Sequence, residues 1–174
     1  MRLEVHRRLA ELAEAQGLEH GKLVQKLLAL AFLEAGAARV TERSTQGIDL
    51  EVTLADGRRV ALEVKTTQGD ALTLGAKDLE GLRARRDEGF VPYVAVLGPH
   101  LLDAWIFARF TDGELQPKQS YAPLLLRALR DRALEAVVAD TFPAAVLAHG
   151  ATAASGGQGA LAALLRRHKA YALA

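Results

Sequence analysis

The sequence predicts a mixed α/β fold: a mixed β-sheet flanked by helices, with a helical C-terminal extension. Three observations predict it. Residues 48–54 and 60–67 alternate apolar and polar side chains across a turn, the period of a half-buried hairpin. A helical stretch, roughly 74–88, separates that hairpin from a strongly apolar strand at 91–97, a crossover that makes the two flanking strands parallel neighbours. Both ends of the chain carry Leu- and Ala-rich stretches at helical spacing.

Taken in order, residues 2–15 read as an amphipathic helix with Leu3, Leu9 and Leu12 on a stripe, interrupted at Gly17. A second helix, 19–35, ends at Gly36, and its stripe of Leu23, Leu27, Leu30, Phe32 and Leu33 reads as core. A short strand at 38–42 leads into the hairpin. There Ile48, Leu50, Val52 and Leu54 alternate with Asp49, Glu51 and Thr53. On the return, Val60, Leu62 and Val64 alternate with Ala61, Glu63, Lys65 and Thr67. Ala55-Asp56-Gly57 is a three-residue loop with Gly at the left-handed position, which puts Asp49 about opposite Glu63. The helix at 74–88 ends at Gly89, strands follow at 91–97 and 103–110, and Asp112-Gly113 is a turn. Residues 122–138 are helical in pattern, with Pro123 near the start. Ser155-Gly156-Gly157-Gln158-Gly159 reads as a flexible loop before a last helix at 160–171. The expected organisation is an N-terminal helix (1–18), an α/β core (19–118) and a helical extension (119–174) packed on the core or at a dimer interface.

The chain has 174 residues, half of them hydrophobic, enough for one domain with a sizeable core. A net charge of +1 excludes a highly basic nucleic-acid coat protein but leaves room for a local basic site. Without cysteine there are no disulfides, thiolate zinc sites, cysteine-ligated clusters or cysteine nucleophiles. The five His residues show no metal-ligand spacing. The charged N-terminus is not a secretory signal, and the apolar run 27–33 is too short to span a bilayer; no membrane contact and a cytoplasmic location are expected. The glycine loop lacks the Gly-Lys-Ser/Thr ending of a P-loop, so no nucleotide cofactor is expected. Asn is absent and Arg outnumbers Lys, a thermophile tendency that a GC-rich genome would also produce.

The chemistry lies in Gly47-Ile48-Asp49 and Glu63-Val64-Lys65. On the expected register Asp49, Glu63 and Lys65 share one face of two adjacent strands. Two opposed carboxylates repel by up to about 1 kcal/mol, which a cation between them relieves. Hard oxygen donors suit Mg2+ or Mn2+, with the Val64 carbonyl as a further ligand. Such an ion polarises a phosphoryl oxygen, and Lys65 positions water or stabilises phosphate charge. The plainer alternative is a half-exposed hairpin with an ordinary polar face, since Glu-x-Lys alone is common.

With these residues and that element order, the chain resembles the PD-(D/E)xK nuclease superfamily over roughly 19–98. This superfamily includes restriction endonucleases, Mrr-like nucleases and archaeal-type Holliday-junction resolvases. The resemblance implies a restriction-endonuclease-like core and Mg2+-dependent hydrolysis of DNA phosphodiesters. It assigns Asp49 and Glu63 to the metal and Lys65 to the water and the scissile phosphate. Ile48 replaces the usual Pro. Where many members place a Glu on the first core helix this chain has Gln25, which still binds a metal's water or a phosphate; Glu19 and Glu34 are weaker substitutes. Lys77 is the polar candidate on the helix after Lys65. Arg58 and Arg59 at the hairpin turn, with Arg83, Arg85 and Arg86 on the crossover helix, are candidates for DNA phosphates, against the reading of ordinary solvated charge. The expected function is a metal-dependent DNA endonuclease, with structure-specific cutting among the options. The alternative is a catalytically inactive nuclease-fold protein that binds nucleic acid or a protein partner. DNA is the expected partner, and fold-level analogy adds a homodimer.

Overall fold

The computed structural model describes residues 2–43, 47–67, 69, 71–98, 104–113, 115–122, 126 and 128–174. Helix α1 (Arg2–Gln16) passes through a 3-10 turn (Gly17–Glu19) into α2 (His20–Glu34). Then come β1 (Arg39–Glu42), β2 (Leu50–Thr53), β3 (Arg59–Thr66), β4 (Leu72–Thr73), α3 (Ala76–Asp87), β5 (Val91–Leu97), β6 (Ile106–Arg109) and β7 (Ser120–Tyr121). The chain ends with α4 (Arg132–Val138), α5 (Thr141–Leu165) and β8 (Tyr171–Leu173). The main sheet has six strands in the order β6-β5-β3-β2-β1-β8, and β4 pairs with β7 in a separate ribbon. The β3–α3–β5 crossover makes β3 and β5 parallel, while β1–β2, β2–β3 and β5–β6 are antiparallel.

Apolar residues go to both faces of the sheet, because even- and odd-numbered residues of β2 and β3 point to opposite sides. Leu50, Val52, Val60 and Leu62 join α1, α2 and α5 in the larger core. Ala61, Val94, Val96 and Ile106 meet Leu79 and Leu82 of α3 in the smaller one. Helix α2 lies between the sheet and α5, so every residue from Leu23 to Leu33 is buried. It closes where expected. Gly36 adopts φ 86°, and the Ala37 N–H bonds the Phe32 carbonyl while the Gly36 N–H bonds that of Leu33. These paired bonds satisfy carbonyls that the helix end leaves open.

Several expectations change. On α1 the buried stripe is Val5, Leu9 and Leu12, and Leu3 is 80% exposed. At about 100° per residue, Leu3 lies well off the stripe that Val5, Leu9 and Leu12 share. Within the expected loop 155–159 only Gly157 leaves helical geometry (φ 60°, ψ −156°), a kink between two helical segments of α5, so the break shrinks to one residue. The last helix stops at Leu165, and β8 pairs in parallel with β1, satisfying the backbone groups that edge would otherwise leave open. The extension thus packs on the core and adds a strand to its sheet. Within the expected helix 122–138 the described residues place an α-helix at 132–138 and 3-10 turns at 126, 128 and 129; residues 123–125 and 127, including Pro123, lie outside the described set. The expected strand at 103–110 is observed as Ile106–Arg109; Asp103 and His100 are not described. No single helix among the described residues is long and apolar enough to cross a membrane.

Candidate active site

The hairpin loop sets the register. The Gly57 N–H bonds the Leu54 carbonyl with Gly57 at φ 86°, and Leu50 pairs with Leu62. Continued by one residue, this register sets Asp49 beside Glu63. Asp49 lies just before β2, and its side chain completes the strand pairing: Oδ2 accepts the Val64 N–H at 2.9 Å, and its own N–H donates to the Leu62 carbonyl at 3.1 Å. The loop carrying Asp49 rests on α3 at Gly81. A Cβ added to Gly81 would lie 1.7 Å from the Gly47 carbonyl oxygen, and Gly47 itself has φ 122°. Two glycines therefore let Gly47-Ile48-Asp49 approach the helix, while Ile48 buries in the smaller core.

Lys65 follows Glu63 by two residues and shares its face. Its Nζ lies 2.8 Å from Glu63 Oε1 and 2.7 Å from Asp78 Oδ2. Asp78, in the first turn of α3, also accepts the Gly75 N–H at 2.9 Å. From the other side, Lys22 of α2 places Nζ 2.9 Å from Asp49 Oδ1 and 3.0 Å from Gln25 Oε1. Gln25 is only 2% exposed, and its Nε2 donates to Glu42 at 3.1 Å. Glu42 is buried with Lys26 at 2.6 Å and accepts the Tyr171 hydroxyl at 2.7 Å. A polar chain thus runs from Asp49 through Lys22 and Gln25 to a buried ion pair and the C-terminal strand.

Burial, then the charge of Asp49, pushes Glu63 up to about 7 against the partial counteraction of Lys65. Burial pushes Lys65 down, but the charge of Glu63 and the hydrogen bonds to Asp78 and Glu63 more than reverse it, so the lysine stays charged. For Asp78, burial is outweighed by the hydrogen bonds from Lys65 and the Gly75 N–H, which hold it below the usual range. The carboxylate that resists ionising is Glu63, beside Asp49, even with Lys65 at 2.8 Å.

Among the described residues no three acidic or imidazole side chains converge into a full metal cage. The pair Asp49–Glu63 nevertheless fits Mg2+, which is held by one or two carboxylates and otherwise by water and substrate phosphate. An ion there would compete with Lys22 for Asp49 Oδ1. Val64 meets Asp49 through its N–H.

The other candidates scatter. Arg59 lies over the Phe90 ring at 3.9 Å, on the sheet face of the site. Arg58 is exposed and bonded to Asp56. Arg83 and Arg86 both clamp Asp112 on the outer side of α3, and Lys77 is exposed in the first turn of that helix. Glu51, on the polar face of the hairpin, is half-buried between Arg43 (2.7 Å) and Arg85 (3.1 Å), because α3 covers its flank. Reading the sequence missed Lys22, Glu42 and Asp78. Only Asp78 carried a signal, an acid three residues after Gly75 where a helix begins; Lys22 and Glu42 meet the site only through tertiary packing.

A fold with these elements in this order is restriction-endonuclease-like: a mixed sheet with helices on both faces and the acidic site at the β2–β3 hairpin. A solved structure shares it. The 1.6 Å structure of Archaeoglobus fulgidus Hjc, a Holliday junction resolvase from an archaeal hyperthermophile, matches with a TM-score of 0.51 and 21% identity, covering 67% of this chain and 95% of that one. No family model and no curated protein matches the chain.

Proposed function

We propose that this protein is a metal-dependent, structure-specific DNA endonuclease. One observation carries the reading: Asp49, Glu63 and Lys65 meet on adjacent strands, with Lys65 held between two carboxylates, 2.8 Å from Glu63 and 2.7 Å from Asp78. Bound between Asp49 and Glu63, Mg2+ or Mn2+ would supply positive charge to the phosphoryl oxygens and acidify water. The chain's own groups do the rest. The Val64 N–H fixes the Asp49 carboxylate, and Asp78 keeps Lys65 charged and aimed. Lys65 Nζ then orients the attacking water and stabilises charge on the phosphate. Gln25, one step removed, positions Lys22 rather than reaching the reacting atoms.

The likeness to a Holliday junction resolvase supports a four-way DNA junction as the first substrate class to test. The Lys22–Asp49 contact favours a second reading, a nuclease-fold protein that binds DNA without cutting it. Nicking of a labelled four-way junction with Mg2+, Mn2+ or EDTA separates the two. Metal-dependent nicking lost in Asp49→Asn supports the endonuclease, and DNA binding by folded protein with no nicking in either metal supports the second reading.

A further inference from the structure

We infer a docking trough for the DNA backbone on the sheet face that α3 leaves open, formed by Arg39, Thr41, Arg43, Thr53 and Arg59; this rests on the nuclease reading. The register supplies the argument. Arg39 pairs with Thr53, Thr41 with Glu51, and Thr53 with Arg59. All of them are therefore on the same side of the sheet as Glu63 and Lys65, because successive residues of a strand alternate faces. Helix α3 packs against β3 and β5 and its Arg85 reaches Glu51 of β2; beyond that helix end, where Arg39, Thr53 and Arg59 lie, this face holds a cavity of about 330 Å³.

Arginines dominate the charged lining. Three of them, Arg39, Arg43 and Arg59, line it beside Glu51, which Arg43 and Arg85 already bracket, with Phe90 and Ala174 completing the wall. The Arg39 guanidinium makes no ion pair with any described residue. Arg59 is held over Phe90, which fixes its direction without neutralising it. Thr41 and Thr53 place hydroxyls on the floor, donors of the kind that contact phosphate oxygens. Across three strands Arg39 and Arg59 stand about 10 Å apart, and Arg59 lies about 13 Å along β3 from Glu63. The trough and the acidic site lie at opposite ends of α3: Arg59 meets the Glu88 carbonyl at one end and Lys65 meets Asp78 at the other. The contacts are to phosphates, so they position the DNA without reading its sequence.

Fluorescence anisotropy in EDTA, on a labelled duplex and a four-way junction, tests this with wild type, Asp49→Asn, Arg39→Ala, Arg39→Glu and Thr53→Arg. Arg39 carries the test because its loss breaks no internal bond. Each arginine removed should flatten the slope of log affinity against log salt by about 0.9. The ratio of wild-type to Arg39→Ala affinity should then be about 3.5-fold larger at about 50 mM than at about 200 mM salt. Arg39→Glu should bind more weakly still. Thr53→Arg should bind more tightly, a gain that misfolding does not mimic. Wild type and Asp49→Asn that bind DNA while all three trough variants bind identically would overturn the trough and leave the nuclease reading standing. Wild type that binds no DNA at low salt would overturn both.

Discussion

Replacing Gly81 by Ala sets a local propensity against a tertiary contact, and the two predict opposite signs. In the interior of α3, Ala is favoured over Gly by about 1 kcal/mol, so propensity alone makes the variant more stable. The new Cβ, however, would sit 1.7 Å from the Gly47 carbonyl oxygen, 2.2 Å from its carbon and 2.5 Å from its Cα. Those atoms are backbone, and no rotamer change removes the clash. To regain ordinary contact, the loop or the helix must shift by roughly 1.7 Å, and overpacking of this kind costs about 1–3 kcal/mol or more. A net loss of about 1–2 kcal/mol lowers Tm by roughly 2–8 °C in a domain of this size. The displaced loop is the one that carries Asp49, and a misplacement of about 1 Å at a reacting group costs on the order of 100-fold in rate. Thermal melting followed by circular dichroism, with DNA cleavage on the same preparation, reads both effects. A raised Tm with undiminished cleavage would refute the contact between Gly47 and Gly81 as the device that holds Asp49 in place.

Other consequences follow from the same geometry. The folded pKa of Glu63, about 7, lies above its ordinary 4.5. The stability this contributes is fully present below 4.5 and lost as pH rises through 7. Urea unfolding in EDTA should therefore show Glu63→Gln gaining on wild type between about pH 5 and about pH 8; parallel profiles contradict this. Lys26→Met leaves Glu42 buried without its cation and should cost about 3–5 kcal/mol in urea unfolding, whereas a loss within error would show that Glu42 finds water. Lys22→Ala frees Asp49 Oδ1 from a 2.9 Å ion pair. It should lower the Mn2+ concentration needed for half-maximal binding by calorimetry, and an unchanged value would remove Lys22 as a competitor.

Much of the site was legible because it is local. The alternation around Ala55-Asp56-Gly57 determines which residues oppose each other, and the observed register, Leu50 with Leu62, is the one that turn demands. The crossover was legible for the same reason, since α3 and the apolar β5 are continuous in sequence. What escaped depends on distant parts of the chain. Tyr171 pairs with β1 and bonds Glu42 across 129 residues, and no pattern near residue 171 separates that strand from a fraying helix end. Gly157 separates two helical segments of α5 with a single non-helical residue, and Ala153 before it and Leu161 after it both join the larger core. The polar side of the hairpin looked solvated because alternation reports that a face is polar, not what covers it. Helix α3 lies there, and Glu51 and Glu63 are enclosed with cationic partners. Lys22 on Asp49 is the same kind of miss, a contact between elements whose spacing along the chain carries no periodic signal.

The central claim is that Asp49, Glu63 and Lys65 form a working hydrolytic site. Cleavage of end-labelled single strand, duplex, flap and four-way junction, with Mg2+, Mn2+ or EDTA, tests it beside Asp49→Ala and Lys65→Ala. The account predicts metal-dependent cutting by wild type, strongest on the junction, lost in both variants while their melting curves remain cooperative. Undiminished cutting by Asp49→Ala, or none by folded wild type in either metal, would contradict it.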